Sequence, residues 1–194
     1  MDWLQSMVAA GRVQGVQSGS GTAPTTLNAT YAAAEQDLYI YVPAGTIIIP
    51  IYIGVQFEDT GTAQVMDVLA GYSSNGDAAV TGTALTVYNF RTLASPATAC
   101  TATGVVTAAG TTHLGGDDFL EFWRPYAGFG EDAFNGSTGW VNPGIHGVHW
   151  SARQFVAPMI GSSGSACALS IYAAGQAATG FICAVWVELD EDWI

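Results

Sequence analysis

The run at 37–59, DLYIYVPAGTIIIPIYIGVQFED, constrains this chain more than any other part of it. Leu38, Ile40 and Val42 alternate with Tyr39 and Tyr41, and Pro43-Ala44-Gly45 then breaks the pattern. Beyond the break, Ile49, Ile51, Ile53, Val55 and Phe57 recur at every second position. Alternate side chains of a strand point to opposite faces, so the spacing predicts two strands around a turn, the second with a five-residue core face. A helix is excluded by Pro43, Gly45, Pro50 and Gly54 and by the β-branched isoleucines. The run is long enough to span a membrane, but its prolines, glycines and glutamine suit soluble strands.

The remaining segments extend this into an all-β protein. Alternating or apolar runs at 25–33, 64–70, 84–90, 104–108, 118–126, 154–160, 166–172 and 181–189 read as short strands. Turn residues separate them, among them Asn75-Gly76-Asp77. Nine or ten such strands predict a jelly-roll-like antiparallel β-sandwich with long loops, and the missing Cys…Trp…Cys spacing argues against an immunoglobulin-like domain. Residues 1–24 read differently: a short helix bearing Trp3, Leu4, Met7 and Val8, then a glycine- and serine-rich stretch. They are expected to form a flexible N-terminal arm and linker, with residues 25–194 as the sandwich domain. Asp2 stands where a secretory leader carries positive charge, and no long apolar run follows it, so no such leader is expected.

Charge excludes several partners. Sixteen acids face four bases, all of them arginine, for a net charge of −12. A surface for nucleic acid or for anionic membrane needs the opposite sign. The absence of lysine also removes P-loop and Schiff-base chemistry. Only 10% of residues are charged, against about 25% in an ordinary domain, which points either to surface buried between subunits or to a surface covered by Ser, Thr and Asn.

No constellation of catalytic residues emerges, and the chain is expected not to be an enzyme. Gly161-Ser162-Ser163-Gly164-Ser165 lacks the context of a nucleophile elbow. His146 and His149 lie among helix-breaking residues with only His113 and scattered acids to complete a site, so no metal is expected. Asp117, Asp118 and Glu121, Glu131 with Asp132, and Glu188 with Asp190, Glu191 and Asp192 form acidic groups without calcium-loop spacing. They read as solvated turns, and no cofactor is expected. Cys100, Cys167 and Cys183 are odd in number, which leaves room for one disulfide with one free thiol but not for a framework of bridges, and Cys167 and Cys183, inside apolar runs, read as small core residues. The aromatics Trp123, Tyr126, Phe129, Trp140 and Trp150, with Asp117 or Asn135 as polar partners, fit either a sugar site or core and interface packing. The packing reading is preferred.

The segments LYIYVPAGTIIIPIYIGVQFED, EFWRPY and AVWVELDE, as a pattern of strands over about residues 30–192, resemble small β-sandwich structural proteins of tailed viruses. That group includes capsid decoration (cement) proteins and accessory head proteins. The resemblance carries no signature residue. It implies a non-enzymatic virion protein on the capsid exterior, self-associating as a homotrimer and docking on other capsid or virion proteins. Trp3, Trp123, Arg124, Trp140 and Trp150 are its expected interface anchors. The alternative is a receptor- or carbohydrate-binding module at a fibre or spike head.

Overall fold

The computed structural model describes residues 2–59, 65–92, 98–109, 118–128, 147–174 and 178–193. A helix, α1 (Trp3–Ala9), leads into β1 (Val13–Ser18), β2 (Thr25–Leu27), β3 (Leu38–Val42), β4 (Thr46–Asp59) and β5 (Val65–Ser73). Then come β6 (Thr81–Leu85), β7 (Tyr88–Asn89), β8 (Thr101–Ala108), β9 (Phe119–Trp123) and β10 (Tyr126–Gly128). The chain closes with β11 (Gly147–Ser151), β12 (Ile160–Gly161), β13 (Cys167–Ala174), β14 (Ala178–Asp190) and a 3₁₀ turn at Glu191–Trp193.

These strands form two antiparallel sheets. Sheet one runs β11-β4-β14-β1-β7, with β12 also on β4 and β2 also on β14. Sheet two runs β10-β5-β13-β3-β8-β6, with β9 also on β5. The last strand lies between β1 and β4, and the one before it between β3 and β5. This interleaving is jelly-roll connectivity: β1-β14-β4-β11 forms one four-stranded layer and β3-β13-β5-β9/β10 the other. The segment between β5 and β9 adds β8 and β6 beside β3 and β7 beside β1, widening both layers.

The core lies between the layers. Ile53, Val55 and Phe57 of β4 and Ile182, Ala184 and Trp186 of β14 meet Val68 and Ala70 of β5 and Leu169 and Ile171 of β13. Full burial of each large side chain stabilises the fold by about 1.5–3 kcal/mol.

The five-residue core face expected of β4 divides at a bulge. Val185 pairs with Tyr52 and Trp186 with Pro50, leaving Ile51 as the extra residue. Ile48 lies in the inter-sheet core with Ile53, Val55 and Phe57, whereas Ile49 and Ile51 pack outside sheet one. Pro50 has no N–H to give a ladder, and a bulge is one of the few places where an inner strand tolerates it.

The described residues 2–24 do not form a separate arm. Asp2 caps α1: its carboxylate accepts from the Gln5 N–H (2.8 Å), and its own N–H donates to Gln5 Oε1 (3.2 Å). Gly11, at φ +73°, ends the helix. Its N–H reaches the Val8 carbonyl and that of Arg12 reaches Met7 (both 2.9 Å), a Schellman closure. The chain then enters β1, which pairs with β14 from Val13↔Val187 to Ser18↔Ile182. What reads as linker is thus the first strand of the jelly roll. Leu4, Met7 and Val8 of α1 cover Ile49 and Ile51 on the outside of sheet one.

Other expected strands differ in extent. The run at 84–90 splits into β6 and β7, which join different sheets. The run at 118–126 splits at Pro125 into β9 and β10. Of 25–33 only Thr25–Leu27 is a strand, and of 154–160 only Ile160. The expected loop at 127–151 ends in β11.

Candidate functional site

The bulge at Ile51 divides the outer face of sheet one into two halves. One half lies beneath α1. In the other, Tyr52, Gly54 and Gln56 of β4 point outward beside Phe181 and Cys183 of β14, Gln17 of β1 and His149 of β11. Together they line an open groove of about 570 Å³. Register places these side chains in rows. His149 pairs with Gly54, Gly54 with Cys183, and Cys183 with Gln17. One step along the strands, Gly147 pairs with Gln56 and Gln56 with Phe181.

Glycines shape the groove because aromatic rings lie over them. A Cβ on Gly54 would come within 2.7 Å of the Tyr52 hydroxyl and 3.1 Å of the Cys183 sulfur. A Cβ on Gly19 would sit 2.8 Å from the Phe181 ring. Tyr52 therefore leans along its own strand across Gly54, and its ring stacks on His149 (centroids 6.1 Å, planes 17° apart). Gln17 and Gln56 are exposed. Burial pushes both the Cys183 thiol and the Tyr52 phenol up from their ordinary values. A raised thiol value is the opposite of what an activated cysteine nucleophile shows.

Trp123 and Trp150 serve the fold. Trp123 is 9% exposed and Trp150 0%, both in the inter-sheet core. Trp150 meets Phe122 edge-on at 5.4 Å, and its indole N–H has no hydrogen-bond partner among the described residues. Neither tryptophan has a face to offer a partner. Arg124 is engaged within the chain. It forks onto Glu121 (2.8 and 2.7 Å), reaches Asp67 at 3.0 Å and lies 5.3 Å over the Tyr31 ring. Its guanidinium closes the 28–37 segment onto the outside of sheet two, and Glu121 beside it raises its affinity for its proton. Trp3 is 53% exposed on α1 and remains available. Trp140, His113, His146, Asp117, Phe129, Glu131, Asp132 and Asn135 lie outside the described residues.

The acids are dispersed among separate partners. Asp118 accepts from the Ser73 hydroxyl (3.0 Å) and Asp190 pairs with Arg12 (2.8 Å). Glu188 accepts from the Ala99 N–H (2.7 Å) and the Thr98 hydroxyl. Among the described residues no three His, Cys, Asp or Glu side chains converge as metal ligands, and no helix is long and apolar enough to cross a membrane. The three cysteines are free.

Six of the ten large apolar side chains that stand exposed among the described residues belong to β5, β9, β10 and the β11–β12 connection, at one edge of the sandwich. Val65, Leu120 and Tyr126 are on the β5, β9 and β10 side of sheet two. Phe155, Val156 and Met159 are on the segment joining β11 to β12 at the matching edge of sheet one. Tyr126 pairs with Asp67 and Gly128 with Val65, so Tyr126 and Val65 are diagonal neighbours on one face. Val156 is 93% exposed, although the apolar run at 154–160 that holds it has the composition of a strand.

Comparison with family models, curated proteins and solved structures finds no match to this chain.

Proposed function

We propose that this protein is a non-enzymatic structural component of a virus particle. In this reading it self-associates, as a trimer, and docks on the outside of a capsid as a decoration or cement protein. The observation that carries the reading is the apolar flank. Six exposed large hydrophobics on neighbouring strand edges form the kind of surface that a stable interface buries. The jelly-roll connectivity and the sparse charge agree with it, and a net charge of −12 directs docking toward protein and not nucleic acid. Trp3, exposed at the chain's start, is the remaining aromatic anchor for docking.

Native mass by light scattering tests the proposal. The chain should run as a trimer or larger. Val156→Asp and Tyr126→Asp, each at an exposed position, should return it to monomer with an unchanged circular dichroism spectrum and melting temperature. A wild-type monomer, or an assembly indifferent to both substitutions, refutes the flank as the interface.

The alternative, a receptor- or carbohydrate-binding module, loses Trp150 as an exposed anchor because that ring is in the core. The outer-face groove favours it instead.

A further inference from the structure

We propose that the groove on the outer face of sheet one binds a neutral oligosaccharide. The inference gives a site to the carbohydrate-binding alternative and does not rest on self-association.

The first observation is what the groove lacks. In a chain of sixteen acids and four arginines, no carboxylate or guanidinium of the described residues lines it. A phosphate, a carboxylate or a cationic ligand would find no counter-charge there and would give up its water without return. The second is what it displays. Gln17 and Gln56 stand exposed on strands two apart, about 10 Å across the sheet. Neither amide is hydrogen-bonded among the described residues. An amide offers an acceptor oxygen and two donor hydrogens, which matches a hydroxyl that must both give and accept. A single sugar ring does not reach both amides, so the ligand is a short chain of rings.

The third observation is the floor. Tyr52 and Phe181 lie over Gly54 and Gly19, so aromatic surface is held close against the sheet. Gly147 leaves the β11 side of the Gln56 row without a side chain. A sugar ring has a C–H face that packs on aromatic carbon and a rim of hydroxyls. Aromatic surface between two amides suits both. His149 stacks on Tyr52 from the adjoining strand and positions it. The volume of about 570 Å³ falls within the range of about 300–1,000 Å³ usual for small-ligand sites.

The full chain, ¹⁵N-labelled, would be titrated by NMR and calorimetry with neutral gluco-, manno-, xylo- and N-acetylglucosamine oligosaccharides, and with a sulfated glycan as the charged comparison. At least one neutral series should bind saturably, shifting amide signals of β4 and β14 around Gly54 and Cys183, while the sulfated glycan does not bind. Gln17→Ala and Gln56→Ala remove exposed side chains that the fold does not use. Each should weaken binding about five- to tenfold with the melting temperature unchanged. Failure of every neutral series to bind overturns the proposal, as does binding indifferent to both substitutions. Neither result bears on assembly, which light scattering reads on the flank variants.

Discussion

Asp37 is wholly buried, and its carboxylate has two partners: the backbone N–H groups of Asn28 and Ala173, both at 2.7 Å. Burial pushes its carboxyl up from 3.8 to about 7, against the opposing pull of those two donors. The sign of the consequence follows from linkage. Between these values the folded chain holds the proton and the unfolded chain has lost it, so stability falls as pH rises. The contribution is fully present below about pH 4, declines through pH 7 and is flat above. At about 1.4 kcal/mol for each tenfold change in proton affinity, the span is up to about 4 kcal/mol. Asp37→Asn cannot ionise, so it removes this slope. It also turns an amide nitrogen toward one of the two N–H donors and leaves that donor unpaired, which costs about 1–3 kcal/mol at every pH. Urea unfolding of both proteins from pH 4 to pH 8 separates the effects. The wild type should be the more stable at pH 4, and its advantage should shrink or reverse by pH 8. Parallel profiles would show that Asp37 has the same proton affinity in both states and would refute the reasoning.

Two further substitutions test the division between core and surface. Trp150→Ala should destabilise the fold by about 3–5 kcal/mol, seen as a lower denaturation midpoint, because it empties a fully buried site between the sheets. Native mass, measured where the variant is still folded, should not change. Gly180→Ala would place a Cβ 2.2 Å from the Gln56 carbonyl oxygen, a ladder atom that cannot step aside. A loss of about 1–3 kcal/mol is expected in the same assay, and a neutral result would mean that β4 and β14 separate more easily than their register implies.

The strand pattern was legible because alternation is a local property. Leu38, Ile40 and Val42, and then Ile53, Val55 and Phe57, face the core as their spacing requires. The shift at Ile51 was not legible, since a bulge depends on which strand lies opposite, although Pro50 marks the place where a ladder bond fails. The start of the chain carried a readable signal that the glycine content obscured. Asp2 with Gln5 three residues on is a capping pair, and Gly11 suits the left-handed residue that closes a helix. Arg12 through Ser18 then contains the alternation Val13, Gly15, Gln17 against Gln14, Val16, Ser18, too polar to separate from a linker without its partner β14. The groove was least legible of all. Tyr52, Gly54 and Gln56 are neighbours in sequence, but Gln17, His149 and Cys183 reach them only across three strand pairings. Trp123 and Trp150 are aromatics in a glycine-rich part of the sequence, where composition does not separate core from surface, and the pairing of Trp150 with Ile53 places it inside.

The sparse charge has an explanation that narrows the case for assembly. A two-layer sandwich normally meets water with the polar outer faces of both sheets. Here much of those faces is covered by the chain itself. α1 lies over Ile49 and Ile51 on sheet one. On sheet two, Tyr31 packs on Tyr172 (6.2 Å, edge-on), the Tyr172 hydroxyl donates to the Ala33 carbonyl, and the Tyr39 hydroxyl accepts from the Asp77 N–H. Rings over Gly15, Gly19, Gly54 and Gly71 shield backbone that a polar side chain would otherwise cover. Low charge therefore follows in part from folding alone and is not by itself a sign of hidden interfaces. Among the described residues, intrachain cover does not reach Val65, Leu120, Tyr126, Phe155, Val156 and Met159, the side chains on which the proposed partner contact rests. Variants at that flank, and not a general accounting of surface charge, decide between a chain that assembles and one that presents only its groove.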